Sequence, residues 1–163
     1  MISDSEYKEL VSKYPVCQEP LKLHMDWEYE EAFQKLISLR GKIPEGLYGR
    51  ILTCMYLMDT DEVNIETLKT AFSGVARETL MYDEDLEMYK VMPDTITIYR
   101  GTQDPSEKMP RLSWSLKQDV ARGFGPSHMF KASISKARVI AYYSKGGDEE
   151  EILAVVTDNF EII

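Results

Sequence analysis

The sequence predicts an α+β protein with a helical N-terminal part and a strand-rich remainder. Apolar residues recur at helical spacing as far as Val75, and from Thr95 they alternate instead. With 163 residues, 44% of them apolar, the chain can bury one proper core and a small appended subdomain. The expected organisation is a single domain over 1–163, with a helical subdomain at 1–92 and a β-rich core at 93–163.

A short helix is expected from Ser5 to Lys13, ended before Pro15. A second, from Asp26 to Leu39, places Tyr29, Phe33, Leu36 and Ile37 on one face, with Asp26 as N-cap. Pro44 seats a third, whose Leu47, Ile51, Leu52, Met55 and Met58 share a stripe. A fourth starts after Asn64, with Ile65, Leu68, Phe72, Val75 and Ala76 inward, and Gly74 is expected to weaken it without ending it. The acidic segment Tyr82 to Glu87 reads as a bridge. Thr95 to Tyr99 then alternates β-branched and aromatic residues, as a half-buried strand does.

Beyond a polar loop from Thr102 to Arg111, Leu112 leads into Ser113-Trp114-Ser115 and a short helix to Phe124, with Leu116, Val120, Ala121 and Phe124 inward. His128 to Ser135 and Ala137 to Tyr143 read as two strands about a tight Ser135-Lys136 connection. Ser144 to Asp148 is a turn by composition, Glu151 to Thr157 the next strand, and Phe160 to Ile163 a last one.

A net charge of -9 argues against non-specific binding to a nucleic-acid backbone and favours basic partners. The longest apolar run, Ile51 to Met58, is too short to span a bilayer, and the polar start lacks a signal-peptide pattern, so a cytoplasmic location at synthesis is expected, without membrane partners. Cys17 and Cys54 lie far apart, and His24 and His128 are the only histidines, so no metal site is expected.

Three short pieces carry the chemistry. Arg100 at a strand end offers a planar fork of donors suited to phosphate, and Gly101 lets a ligand approach the backbone; the same pair also suits an ion pair beside a turn. Ser113 and Ser115 point to one side of an extended segment, while Ser115 with Gln118 also fits a capping box. In Glu149-Glu150-Glu151, alternation would put Glu149 and Glu151 on one side of the chain; such a run also suits a solvated turn. A carboxylate beside a ribose stabilises the positive charge that develops as a glycosidic bond breaks.

Arg-Gly after a strand, Ser-x-Ser before a helix and Glu-x-Glu before Ile-Leu, in that order, resemble the arginine-serine-glutamate class of mono-ADP-ribosyltransferases, the cholera-toxin-like branch, in its small phage-like or bacterial form. The resemblance covers roughly Thr95 to Ile163, with Trp114 where the family usually has threonine. It implies a helical part packed on a split, mostly antiparallel β-sandwich. It also implies NAD as co-substrate, release of nicotinamide, and ADP-ribose transfer to a macromolecular acceptor, with protein arginine one such target. Under it, Arg100 contacts the NAD phosphate, the Gly101 backbone holds the nicotinamide amide, and Ser113 supports the catalytic Glu151. Ser115 completes its motif, Glu149 acts on the acceptor, Phe124 lies against the nicotinamide, and Gly146-Gly147-Asp148 falls in the acceptor loop. Two alternatives stand beside transfer: NAD glycohydrolysis, in which water attacks, and an inactive module that binds a nucleotide or a protein.

Overall fold

A computed structural model describes residues 1–60, 63–104, 106–107, 112–144 and 149–163. It is α+β, and the chain divides into two compact units, Met1–Tyr82 and Asp83–Ile163.

The first unit is helical: α1 (Asp4–Lys13), α2 (Gln18–Met25), α3 (Tyr29–Ser38), α4 (Glu45–Met58), α5 (Ile65–Phe72) and α6 (Arg77–Leu80). Ser3 and Glu6 close a reciprocal capping box on α1. The helix expected from Asp26 starts instead at Tyr29, and Asp26 is the C-cap of α2. α2 escapes the periodicity because it is short and carries Pro20, tolerated in a first turn where backbone N–H groups lack helical partners.

Just past α2, Trp27 takes a left-handed φ of 67°. Its N–H donates to the His24 carbonyl and the Glu28 N–H to that of Leu23, the bonding of a helix terminus that normally employs glycine. α5 starts after Asn64 as expected, and the Asn64 side chain caps it, but α5 stops at Phe72 and Gly74 sits at φ 71° beyond it. Leu47, Ile51, Leu52 and Met55 of α4 are buried with Phe33 and Leu36 of α3, whereas Met58 is exposed. α6 crosses α4 at Gly49, where an added Cβ would lie 2.8 Å from the Thr79 carbonyl oxygen.

The second unit opens with α7 (Asp83–Val91), in the stretch expected to be a bridge. Asp83, Glu84 and Asp85 lie in its first turn, where carboxylates favour a helix, and buried Asp85 Oδ1 accepts from the Ser144 N–H at 3.0 Å. β1 (Thr95–Gly101), β2 (Ser113–Ser115), α8 (Gln118–Phe124), β3 (Met129–Ser135), β4 (Val139–Tyr143), β5 (Glu151–Ala154) and β6 (Phe160–Ile162) follow. The strands join antiparallel in the order β4-β5-β2-β1-β3-β6. β3 and β4 flank the tight connection expected at Ser135-Lys136 but do not pair, and a 3-10 turn at Lys136–Arg138 joins them.

That turn dictates the shape of the sheet. A flat sheet would separate β3 from β4 by four strand spacings, about 19 Å, while the four-residue step from Ser135 to Val139 reaches at most about 14 Å even when extended. The sheet therefore bends between them. β1 pairs with β3 along its whole length, whereas among the described residues it pairs with β2 at Tyr99↔Ser115 alone. The turn itself is held by the Lys136 ammonium, which donates to the Lys90 and Met92 carbonyls.

Candidate functional site

β2 lies between β1 and β5, so the three sequence pieces occupy neighbouring strands. Arg100 comes from β1, with its Nη1 donating to the Ser113 carbonyl at 3.0 Å. The Ser113 hydroxyl donates to Glu151 Oε1 at 2.5 Å. In β5, Ser115↔Glu151, Trp114↔Ile152 and Ser113↔Leu153 set the register. Glu151 is 5% exposed and all four β5 residues are buried, so the carboxylate enters the site from a rigid support.

Among the described residues, bonds from Ser115 and Leu116 hold the approach to Glu151. Ser115 Oγ donates to the Glu149 carbonyl at 2.8 Å, and the Leu116 N–H to the Glu150 carbonyl at 3.1 Å. Ser115 Oγ also accepts from the Lys117 N–H at 2.9 Å, ahead of α8, whose N-cap residue Lys117 makes no side-chain capping bond. The expected capping box is thus replaced by a local serine turn. Extended alternation through 149–151 is broken as well: Glu150 has φ 44°, and its carboxylate lies 3.7 Å from the Lys117 ammonium. Glu149 is half-buried beside this bend.

Gly101 is glycine for an internal reason. A Cβ there would fall 2.0 Å from the Ala121 carbonyl oxygen, so the close approach made possible is that of α8 to β1. Gly125 repeats it, since a Cβ would meet the Thr102 carbonyl oxygen at 2.1 Å. Phe124, expected inward, is 58% exposed at the end of α8, because the helix meets β1 through Ala121 and Gly125. Trp114 is buried with its indole N–H unbonded among the described residues, which makes it a packing residue on the sheet.

Glu107 is the residue that periodicity missed. Its Oε1 accepts from Arg100 Nε at 3.0 Å, with the two side chains 12% and 16% exposed. It sits in a loop where only a charge opposite to arginine could have drawn notice. Gly146-Gly147-Asp148 lies outside the described residues. Among the described residues no group of three or more His, Cys, Asp or Glu is placed to hold a metal ion, and no helix is long and apolar enough to cross a membrane.

Together these groups make a fixed cation, a hydroxyl bonded to a buried carboxylate, and an exposed aromatic on the helix next to the cation's strand. Compared with protein-family models, curated proteins and solved structures, the chain matches none.

Proposed function

We propose that the chain is an NAD-dependent mono-ADP-ribosyltransferase, with Glu151 as the catalytic carboxylate. The observation that carries the reading is the Ser113–Glu151 hydrogen bond beside Arg100, with the three residues on adjacent strands. A solvated acidic turn or a simple helix cap would not require a buried carboxylate bonded to a second motif.

In this reading Arg100 holds the phosphates of NAD and the exposed Phe124 ring receives the nicotinamide. The bond from the ribose C1′ to the nicotinamide nitrogen breaks with its electron pair leaving on nicotinamide. Glu151 stabilises the resulting positive charge on the ribose. An acceptor nitrogen or oxygen then bonds to C1′ and releases its proton, and Glu149 is the base on that side. Protein arginine is the acceptor class the glutamate pair suits; attack by water would give hydrolysis instead. The fold reading that accompanies this function is the split β-sandwich, and the bending of the sheet between β3 and β4 supports it.

The test is release of nicotinamide from labelled NAD. Glu151→Gln should lower it by about 100-fold to 1,000-fold, the usual effect of deleting a preorganised electrostatic partner, with an unchanged circular dichroism spectrum. Undiminished release by that variant would sink the assignment.

A further inference from the structure

The geometry points to Glu107 as a positioning residue for Arg100, one that orients the guanidinium toward the dinucleotide phosphate; this rests on the NAD reading above. A guanidinium on a long side chain must be held from more than one direction before its donors have a defined aim. Here Nε donates to Glu107 and Nη1 to the Ser113 carbonyl, each at 3.0 Å, so residues on different segments fix the planar group. Nη2 has no bond to a described residue and is the nitrogen left for a ligand oxygen, together with the second N–H of Nη1.

The Glu107 backbone is itself tied down. Its carbonyl lies 3.1 Å from His128 Nε2, and because a carbonyl only accepts, that nitrogen carries the proton. Its N–H donates to the Asp104 carbonyl at 3.1 Å, while Asp104 Oδ1 accepts from both the N–H and the hydroxyl of Ser106. The Thr102 N–H donates to the His128 carbonyl, so the turn and the histidine are joined at the end of β1. A carboxylate so anchored can aim an arginine rather than follow it. It also offsets the positive charge, so phosphate recognition depends on directed hydrogen bonds more than on net charge.

The experiment measures NAD binding by calorimetry in the Glu151→Gln background, where the dinucleotide is not consumed. Adding Glu107→Ala should raise Kd by about tenfold, the effect of one charge-assisted hydrogen bond, while Glu107→Gln, which keeps an acceptor for Nε, should stay within about threefold. In an Arg100→Ala background Glu107→Ala should change Kd no further. With Glu151 intact, Glu107→Ala should raise KM for NAD and leave kcat near its starting value. If the alanine variant does not fold, Glu107→Asp, one methylene shorter, should shift Kd in the same direction. NAD binding that is indifferent to Glu107, or equally affected without Arg100, overturns this inference alone. Failure of the protein with Glu151 intact to bind NAD overturns both it and the function on which it rests.

Discussion

The Ser113 hydroxyl and the Glu151 carboxylate meet at 2.5 Å across 38 residues of chain. An O–H···O⁻ bond of that length belongs to the strong, charge-assisted class and fixes one oxygen of Glu151. Under the proposed function, in which Glu151 is the catalytic carboxylate, Ser113→Ala should therefore lower kcat for nicotinamide release by about tenfold while changing KM little, because the bond acts through that carboxylate. Steady-state kinetics decide this, and a change confined to KM would assign Ser113 to substrate binding instead.

Glu149 stands at the bend rather than on the strand. Glu149→Gln should suppress transfer to an arginine acceptor by about tenfold or more and leave hydrolysis of NAD within about threefold, if its carboxylate serves the acceptor. Parallel transfer and glycohydrolase assays report the ratio, and equal losses in both would remove Glu149 from the acceptor side.

Gly101→Ala should destabilise the second unit by about 3 kcal/mol or more, at the upper end of overpacking effects, since the Cβ meets the Ala121 backbone oxygen rather than a movable side chain. Denaturant titration measures it. A variant as stable as the parent would show that α8 can lift off β1 without penalty.

Trp27→Gly should stabilise the first unit by about 1 kcal/mol. The position is left-handed and follows a helix end, and the indole is 75% exposed, so little packing is lost with it. A lower melting temperature in this variant would mean that the ring packs more than its exposure implies.

Glu30 gives the first unit an acid-sensitive tie between α3 and the start of α5. Burial pushes its pKa up, but hydrogen bonds from the Thr67 hydroxyl, the Asn64 N–H and the Gln34 amide outweigh this and hold it below its ordinary value. A folded-state pKa below the unfolded one contributes stability that is present above the unfolded value and is lost as pH falls through the folded one. Glu30→Gln should consequently be less stable than the parent near neutrality and lose less stability on acidification below the ordinary glutamate range. Urea titrations at several pH values test this, and parallel profiles for the two proteins would refute it.

Legibility in the sequence followed local physics. The alternation of Thr95 to Tyr99 and the helix start after Asn64 depend on neighbours a few residues away, and both appear where expected. α2 and α7 were missed because one carries a proline in its first turn and the other a run of acids that periodicity reads as solvent-facing. Arg100, Ser113 and Glu151 were legible as polar residues at element boundaries, and the structure brings them together. The missing side chain of Gly101 is legible locally, but the atom that needs the space, the Ala121 oxygen, is 20 positions away and leaves no mark on the local pattern. Glu107 was silent for a similar reason: its meaning depends on where the turn closes.

Among the described residues one backbone pair crosses the β1–β2 seam, which bears on how the proposed activity would be lost. Arg100 stands on one side of that seam and Ser113 with Glu151 on the other, so the arrangement exists only while a lightly bonded joint stays shut. β1 and β3 share seven consecutive pairs and would outlast it on heating. Partial opening is governed by the weakest cooperative segment rather than by the whole molecule. Under the proposed function, inactivation should thus precede melting: NAD turnover would stop while most of the secondary structure still stood, and would recover on cooling as the joint closed.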